Sequence, residues 1–104
     1  MFIAYDVSLE LIRKLTPIIP AIARRDRELV DQLTRAASSI ALNLAESQGR
    51  AGGDRRRHIQ IAAGSAFEVR GALDVAAAWG WDLDTREVQP VLNRLIGLLW
   101  GLRR

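Results

Sequence analysis

Apolar residues recur every three or four positions along nearly the whole chain, and this spacing constrains the fold more than any other feature. Residues three and four apart share one side of an α-helix, so each segment acquires a continuous apolar stripe. The clearest stripe consists of Leu29, Leu33, Ala36, Ile40 and Leu44. No segment sustains the alternation of apolar and polar residues that predicts a half-buried β-strand. We therefore expect an all-α protein.

Residues that start and stop helices divide the chain into four helical segments. Asp26 is a suitable N-cap for the second segment, which Gly49 ends, and Asp54 is a suitable N-cap for the third. Asp84 and Glu87 have the spacing of a capping box at the start of the fourth. The predicted helices are Val7–Ala23, Asp26–Gln48, Asp54–Trp79 and a last one that begins at Asp84 and includes Val91, Leu95, Ile96 and Leu99.

Prolines fall inside two of the predicted helices. Pro17 and Pro20 interrupt the first, and Pro90 lies near the start of the fourth. Because proline has no backbone N–H and clashes with the preceding helical turn, we expect a kink or an early end in the first helix. We also expect Pro90 to bend the fourth helix.

The four helices are joined by short connections, which favour helices that pack side by side in alternating directions. The third helix carries many small residues that let neighbouring backbones approach it closely. They are Ala62, Gly64, Ala66, Gly71, Ala72 and Ala76. A chain of 104 residues supplies one hydrophobic core and not two. We expect residues 1–104 to form a single antiparallel up-down-up-down four-helix bundle.

The composition excludes several kinds of site. The chain has no cysteine and one histidine, His58, so thiol nucleophiles, thiolate zinc sites and multi-histidine metal sites are excluded. Neither a metal nor another cofactor is expected. The connection "RAGGD" joins two helices and lacks the preceding strand that phosphate-binding glycine loops require.

The segment 61–79 is the only stretch that invites comparison with a membrane helix. Glu68, Arg70 and Asp74 lie near its middle, where an arginine or aspartate costs about 2.5–3.5 kcal/mol in a bilayer. A helix buried in protein is the better interpretation. Near the N-terminus, Asp6 comes too early for the apolar region of a signal peptide, so we expect a cytoplasmic protein.

The third and fourth predicted helices have more apolar surface than one bundle can bury. The apolar residues of the fourth helix cover about 200° of its circumference, whereas a surface helix needs a stripe of roughly 100° or slightly more. These residues are Val88, Val91, Leu92, Leu95, Ile96, Leu98, Leu99, Trp100 and Leu102. The excess indicates contact between subunits, and we expect a homo-oligomer.

A polar stripe runs beside the apolar face of the second predicted helix. Ser39, Asn43 and Glu46 follow helical spacing, and Ser65 and Glu68 are neighbours on the third helix. One interpretation is a hydrogen-bonded network that fixes the register of the two helices. The other is a carboxylate pair, Glu46 with Glu68, for acid–base chemistry or metal binding. Di-iron bundles carry Glu-x-x-His motifs that this chain lacks, so we favour the structural network and expect no enzymatic activity.

Two segments carry a resemblance to a known family. The segment "SSIALNLAESQGR", residues 38–50, and the segment "HIQIAAGSAFEV", residues 58–69, resemble paired signatures of the four-helix-bundle proteins encoded in 23S rRNA intervening sequences. That family is related to the accessory variability protein of diversity-generating retroelements. The similarity extends roughly over Leu9–Leu102. One departure is Ser47, which stands where the family usually has glycine.

The resemblance implies a four-helix bundle that assembles as a ring-like homopentamer without enzymatic activity. In the retroelement branch it implies a basic surface that binds RNA or DNA and a reverse transcriptase.

Arginines are concentrated at one predicted end of the bundle. In an antiparallel bundle the connection between the second and third helices lies at the same end as the chain termini. The arginines expected there are Arg50, Arg55, Arg56, Arg57, Arg103 and Arg104, with His58 beside them. This arginine-rich end could bind nucleic-acid phosphates, or it could be an ordinary solvated surface. The alternative function is a scaffold that binds another protein through its apolar helix faces.

Overall fold

The computed structural model describes residues 2–102, and these residues form helices and connections without a β-strand. The elements are α1 (Ile3–Leu15), a 3-10 turn (Thr16–Ile18), α2 (Ile19–Ala23), α3 (Arg27–Gln48), α4 (Gly52–Ala78) and α5 (Val88–Leu102). The expected all-α helical bundle is confirmed. Because α1, the 3-10 turn and α2 continue one another, they correspond to the first of four predicted helices. No helix among residues 2–102 is long and apolar enough to cross a membrane.

Prolines break the first predicted helix, as expected. Pro17 cannot donate a hydrogen bond to the preceding turn, and the α-helical pattern gives way to the 3-10 turn at Thr16. The Thr16 hydroxyl donates to the Ile12 carbonyl oxygen at 2.8 Å, so this carbonyl near the end of α1 has a hydrogen-bond donor. The helix begins at Ile3, four residues before the predicted start, because Ala4 is buried and extends the apolar stripe toward the N-terminus.

The predicted limits of α3 are confirmed. The Asp26 carboxylate accepts a hydrogen bond from the backbone N–H of Leu29 at 3.1 Å, which satisfies one of the free donors at the helix start. Gly49 follows the last helical residue, and its N–H bonds to the Glu46 carbonyl oxygen at 3.1 Å. The helix between them is 22 residues long, and its ends are therefore roughly 30 Å apart.

The prediction that Asp54 is the N-cap of the next helix is wrong. Helix α4 begins at Gly52, two residues earlier, and Ala51 occupies the N-cap position without a side-chain hydrogen bond. Gly52 has a φ of 59°, which glycine adopts at little cost and which starts the helix before the aspartate is reached. Asp54 instead lies in the first turn, where its negative charge is favourable beside the helix N-terminus.

The predicted capping box before the last helix is also wrong. Helix α5 begins at Val88, after both acids, and its first N–H groups bond to the carbonyl oxygen of Thr85. The Asp84 carboxylate accepts hydrogen bonds from the guanidinium of Arg86, with an Nε–Oδ1 distance of 3.0 Å and an Nη2–Oδ2 distance of 2.9 Å. These bonds lower the pKa of Asp84 to about 2. Glu87 forms an ion pair with Lys14 at 3.4 Å.

Pro90 does not interrupt α5. It is the third residue of the helix, a position whose backbone N–H has no partner within the helix. The missing donor therefore costs no helical hydrogen bond there, and the helix continues to Leu102.

The core is built from the predicted stripes of each helix. Every residue of the α3 stripe is buried, and α1, α4 and α5 bury stripes with the same spacing. Fully buried large side chains include Leu11, Leu33, Ile40, Leu44, Ile59, Leu92, Leu95 and Leu99. Four helical layers thus share one continuous apolar interior.

Contacts between neighbouring helices are consistent with an antiparallel arrangement. Between α3 and α4, Ser39 bonds to Ser65 and Asn43 bonds to His58, so residue numbers rise along one helix as they fall along the other. Helix α3 packs against α4 more extensively than any other pair of elements.

Replacing Asp26 with alanine tests the cap of α3. The variant loses the acceptor for the Leu29 N–H, and the free energy of unfolding should fall by about 1 kcal/mol. Asp26→Ser keeps an acceptor oxygen at the same position and should retain most of the stability. Thermal unfolding followed by circular dichroism measures both. Equal losses in the two variants would contradict the capping role.

Candidate functional site

A cluster of polar side chains lies between α3 and α4. Asn43 donates from Nδ2 to the carbonyl oxygen of Ser39 at 2.9 Å and to its hydroxyl at 3.1 Å. The Ser65 hydroxyl donates across to Ser39 Oγ at 3.0 Å. The remaining contact joins Asn43 Oδ1 to His58 Nδ1 at 2.9 Å. We call Ser39, Asn43, His58 and Ser65 the interhelical polar cluster, and all four are half-buried.

The hydrogen bonds of Asn43 fix the proton of His58. Because Asn43 uses its NH₂ group toward Ser39, its oxygen faces the imidazole and must accept from Nδ1. The proton of the neutral ring therefore lies on Nδ1. Sequence reasoning placed His58 with the arginines and missed this contact, although His58 lies seven residues before Ser65 and thus on the same side of α4.

Two residues expected in this cluster lie outside it. Glu46 is exposed, and its Oε1 accepts from Nη2 of Arg50 at 3.0 Å rather than bonding to α4. Glu46 shares a side of α3 with Asn43 but is exposed, and its neighbour one helical turn further along is Arg50. Glu68 is also exposed on α4. The expectation of a partly buried Glu46 bonded to the next helix is therefore wrong.

Ser47 shows why a small residue is needed near the end of α3. It is fully buried, and its hydroxyl donates to the Leu44 carbonyl oxygen at 2.7 Å. The bond satisfies the hydroxyl within its own helix, so serine fits where the family signature has glycine. Among residues 2–102, no buried side-chain nitrogen or oxygen lacks a hydrogen bond.

The arginine-rich end contains two arginines that are already paired with acids. Arg50 donates to Asp54 Oδ2 from Nη1 at 3.2 Å, in addition to its bond with Glu46. Arg57 donates to Asp54 Oδ1 from Nη2 at 3.4 Å. The hydrogen bond to Glu46, together with the negative charges of Glu46 and Asp54, raises the pKa of Arg50 above its ordinary value.

The other arginines of this end differ in their surroundings. Arg55 is half-buried and Arg56 is exposed, and neither forms an ion pair with another residue of the segment 2–102. Arg103 and Arg104 lie outside the described residues. We call Arg50, Arg55, Arg56 and Arg57 the junction arginines, because they flank the connection between α3 and α4.

The ion pairs leave the junction arginines able to contact an anion. The side chains of Arg50 and Arg57 are 46% and 64% exposed, and ion pairs this exposed are weak because water screens the charges. A phosphate can therefore compete with the carboxylates for the guanidinium groups. Within the described residues, no group of three or more histidine, aspartate or glutamate side chains has an arrangement that could hold a metal ion.

The family model described as "23S rRNA-intervening sequence protein" matches residues 2–98, which include both the interhelical polar cluster and the junction arginines. No curated protein sequence matches the chain.

Substitution of Asn43 and Glu46 by alanine distinguishes the two positions. Asn43→Ala removes three hydrogen bonds and leaves Nδ1 of the half-buried His58 without its partner, so the free energy of unfolding should fall by about 1–2 kcal/mol. Glu46→Ala removes one exposed ion pair and should change it by less than about 0.5 kcal/mol. Urea titration of both variants measures the difference. A larger loss for Glu46→Ala would reverse the roles assigned to these residues.

Proposed function

The chain belongs to the 23S rRNA-intervening sequence protein family, and on that premise we propose that it is a non-enzymatic, homopentameric four-helix bundle that binds nucleic acid through its junction arginines. Each subunit is an antiparallel up-down-up-down bundle. The observation that carries the binding proposal is the concentration of four arginines within eight residues at one junction of the bundle.

The surroundings of the junction favour phosphate as the group bound. Arg55, Arg56 and Arg57 follow one another in the first two turns of α4, whose N-terminus carries positive partial charge. Arginine presents planar pairs of N–H donors that match phosphate oxygens. Residues 49–60 include no phenylalanine, tyrosine or tryptophan on which a base could stack, and the ring of His58 is half-buried and bonded to Asn43. Contact through the backbone of the nucleic acid is therefore expected.

Assembly strengthens this proposal. A single junction offers four arginines against the two acids Glu46 and Asp54, which is a modest positive excess. A ring of subunits repeats that excess around one rim and raises the local potential toward polyanions. The exposed apolar side chains of Ile61, Phe67 and Val75 on α4 support self-association.

A protein scaffold is the second candidate function, and the same exposed apolar side chains favour it. Their surface could receive a different protein instead of another copy of the chain. The two candidates predict different behaviour of the purified protein. The first predicts that it associates with itself and binds nucleic acid without another protein, and the second predicts neither.

The mass of the purified protein tests assembly. A pentamer should give about five times the chain mass of 11.6 kDa by light scattering coupled to gel filtration. A mass near 11.6 kDa would refute self-association, and a stable dimer would refute the pentamer while leaving the contact between copies in place.

The dependence of binding on salt tests phosphate contact. Affinity for RNA and DNA should depend weakly on sequence and steeply on salt, with log–log slopes of about −0.7 per phosphate contact on single strands and −0.9 on duplex DNA. Changing Arg55, Arg56 and Arg57 together to serine should flatten the slope, because contacts with phosphate are lost. Electrophoretic mobility shifts at several salt concentrations measure it.

A matched control uses the other end of α3. Arg24, Arg25 and Arg27 are exposed, and their joint replacement by serine removes the same charge at the junction of α2 and α3. The control variant should keep the wild-type slope. Equal effects of the two triple substitutions would indicate attraction by net charge alone, and absence of a shift at low salt would favour the scaffold.

A further inference from the structure

The outer face of α4, which we define by Ile61, Gly64, Glu68, Gly71 and Val75, is unusually apolar for a helix that faces water. These residues follow helical spacing over four turns on the side opposite the buried alanines. Ile61 and Val75 are 40% and 45% exposed. A surface helix normally places polar residues on this side, so the face is suited to contact with protein.

A second exposed face that contains glycines lies on α5. Pro90, Arg94, Gly97 and Gly101 are exposed and follow helical spacing, and we call them the outer face of α5. Gly97 and Gly101 border an open cavity of about 440 Å³. The other residues that line it are apolar: Phe2, Ile3, Ala4, Leu98 and Leu102.

The glycines on both faces have no role within the single chain that explains them. A Cβ atom added to Gly64, Gly71, Gly97 or Gly101 would meet nothing within 4 Å, and none of the four has a positive φ. Glycine in a helix interior is less favourable than alanine by roughly 0.5–1 kcal/mol. Close approach of another backbone accounts for glycine at these positions, because even a methyl group would then separate the helices.

The charges on the two faces are complementary. Among the residues that define the outer face of α4, the charged one is Glu68, which is acidic and exposed. The exposed charged side chain of α5 among residues 88–102 is Arg94. Within residues 2–102, neither Glu68 nor Arg94 forms an ion pair. One chain therefore carries an acidic glycine-containing face and a basic one.

The two faces cannot meet within one subunit. Helices α4 and α5 of the same chain already pack through other sides, where Ala63 and Phe67 lie near Ile96 and Leu99. Arg70, whose guanidinium lies over the Phe67 ring, also bonds to Asn93 across this contact. Their outer faces therefore point away from each other.

We propose that the outer face of α4 in one copy packs against the outer face of α5 in a second copy, with Glu68 of α4 placed against Arg94. The partner is another copy because the same chain supplies both complementary faces. This inference rests on the proposed homo-oligomer and identifies the contact that builds it. The apolar side chains of the α4 face enter the cavity beside Gly97 and Gly101.

Substitution of single glycines by leucine tests the contact. Gly71→Leu on α4 and Gly97→Leu on α5 each have open space in the subunit, so both variants should keep wild-type helicity and melting temperature. Each should lose the oligomer at a micromolar concentration at which the wild type is assembled. Ala45→Leu adds a similar side chain on the exposed side of α3 and should leave the oligomer intact.

Mixing the two glycine variants gives a test that destabilisation of the subunit cannot imitate. The Gly71→Leu chain retains a normal α5 face, and the Gly97→Leu chain retains a normal α4 face. The mixture should therefore regain one intact contact and form pairs of about twice the chain mass of 11.6 kDa, although each variant alone is monomeric. Circular dichroism confirms that both chains are folded.

Charge reversal provides an independent test of the same contact. Arg94→Glu should weaken assembly at least tenfold, and adding Glu68→Arg to it should restore much of the loss by exchanging the two signs. If the wild type is a monomer, the proposed assembly and this contact both fail. If the wild type is an oligomer that Gly71→Leu, Gly97→Leu and Arg94→Glu leave unchanged, this contact alone is wrong.

Discussion

The close packing of α3 against α4 is the contact on which the rest of the structure depends. On α4, the side toward the core consists largely of alanine, and the buried alanines are Ala62, Ala63, Ala66, Ala72 and Ala76. The distance of 3.0 Å between the hydroxyls of Ser39 and Ser65, two short side chains, shows how near the backbones lie. Large side chains from the other helices then fill the remaining interior, as Leu95 and Leu99 of α5 do.

This contact explains why two of the polar residues that meet between the helices are serines. Short side chains such as Ser39 and Ser65 reach across a narrow gap, whereas a glutamate at the same place would be forced into a desolvated position at considerable cost. Glu46 avoids that cost by pairing with Arg50 at the surface. The interhelical polar cluster therefore fixes the register of α3 and α4 without burying a carboxylate.

The two sides of α4 connect the fold with the proposed function. Its inner side packs in the core, its outer face exposes apolar side chains such as Ile61 and Val75, and its first turns carry three of the junction arginines. A contact between copies along this one helix would repeat the arginines at regular positions in the assembly. Under the proposed function, self-association and phosphate binding would both depend on this one helix.

The positions and inner sides of the helices follow from the sequence alone, because the spacing of apolar residues depends only on the geometry of one helix. The stripe through Leu33 and Ile40, the cap at Asp26 and the break at Pro17 are of this local kind. The partner that a polar residue meets across two helices is different, because it depends on their register and rotation. That is why His58, rather than Glu46 or Glu68, bonds to the cluster. Likewise, Asp54 resembled a cap by sequence, yet the tertiary structure places it between Arg50 and Arg57. Local spacing determined the helices and their apolar sides, and packing of one helix on another decided which polar side chains meet.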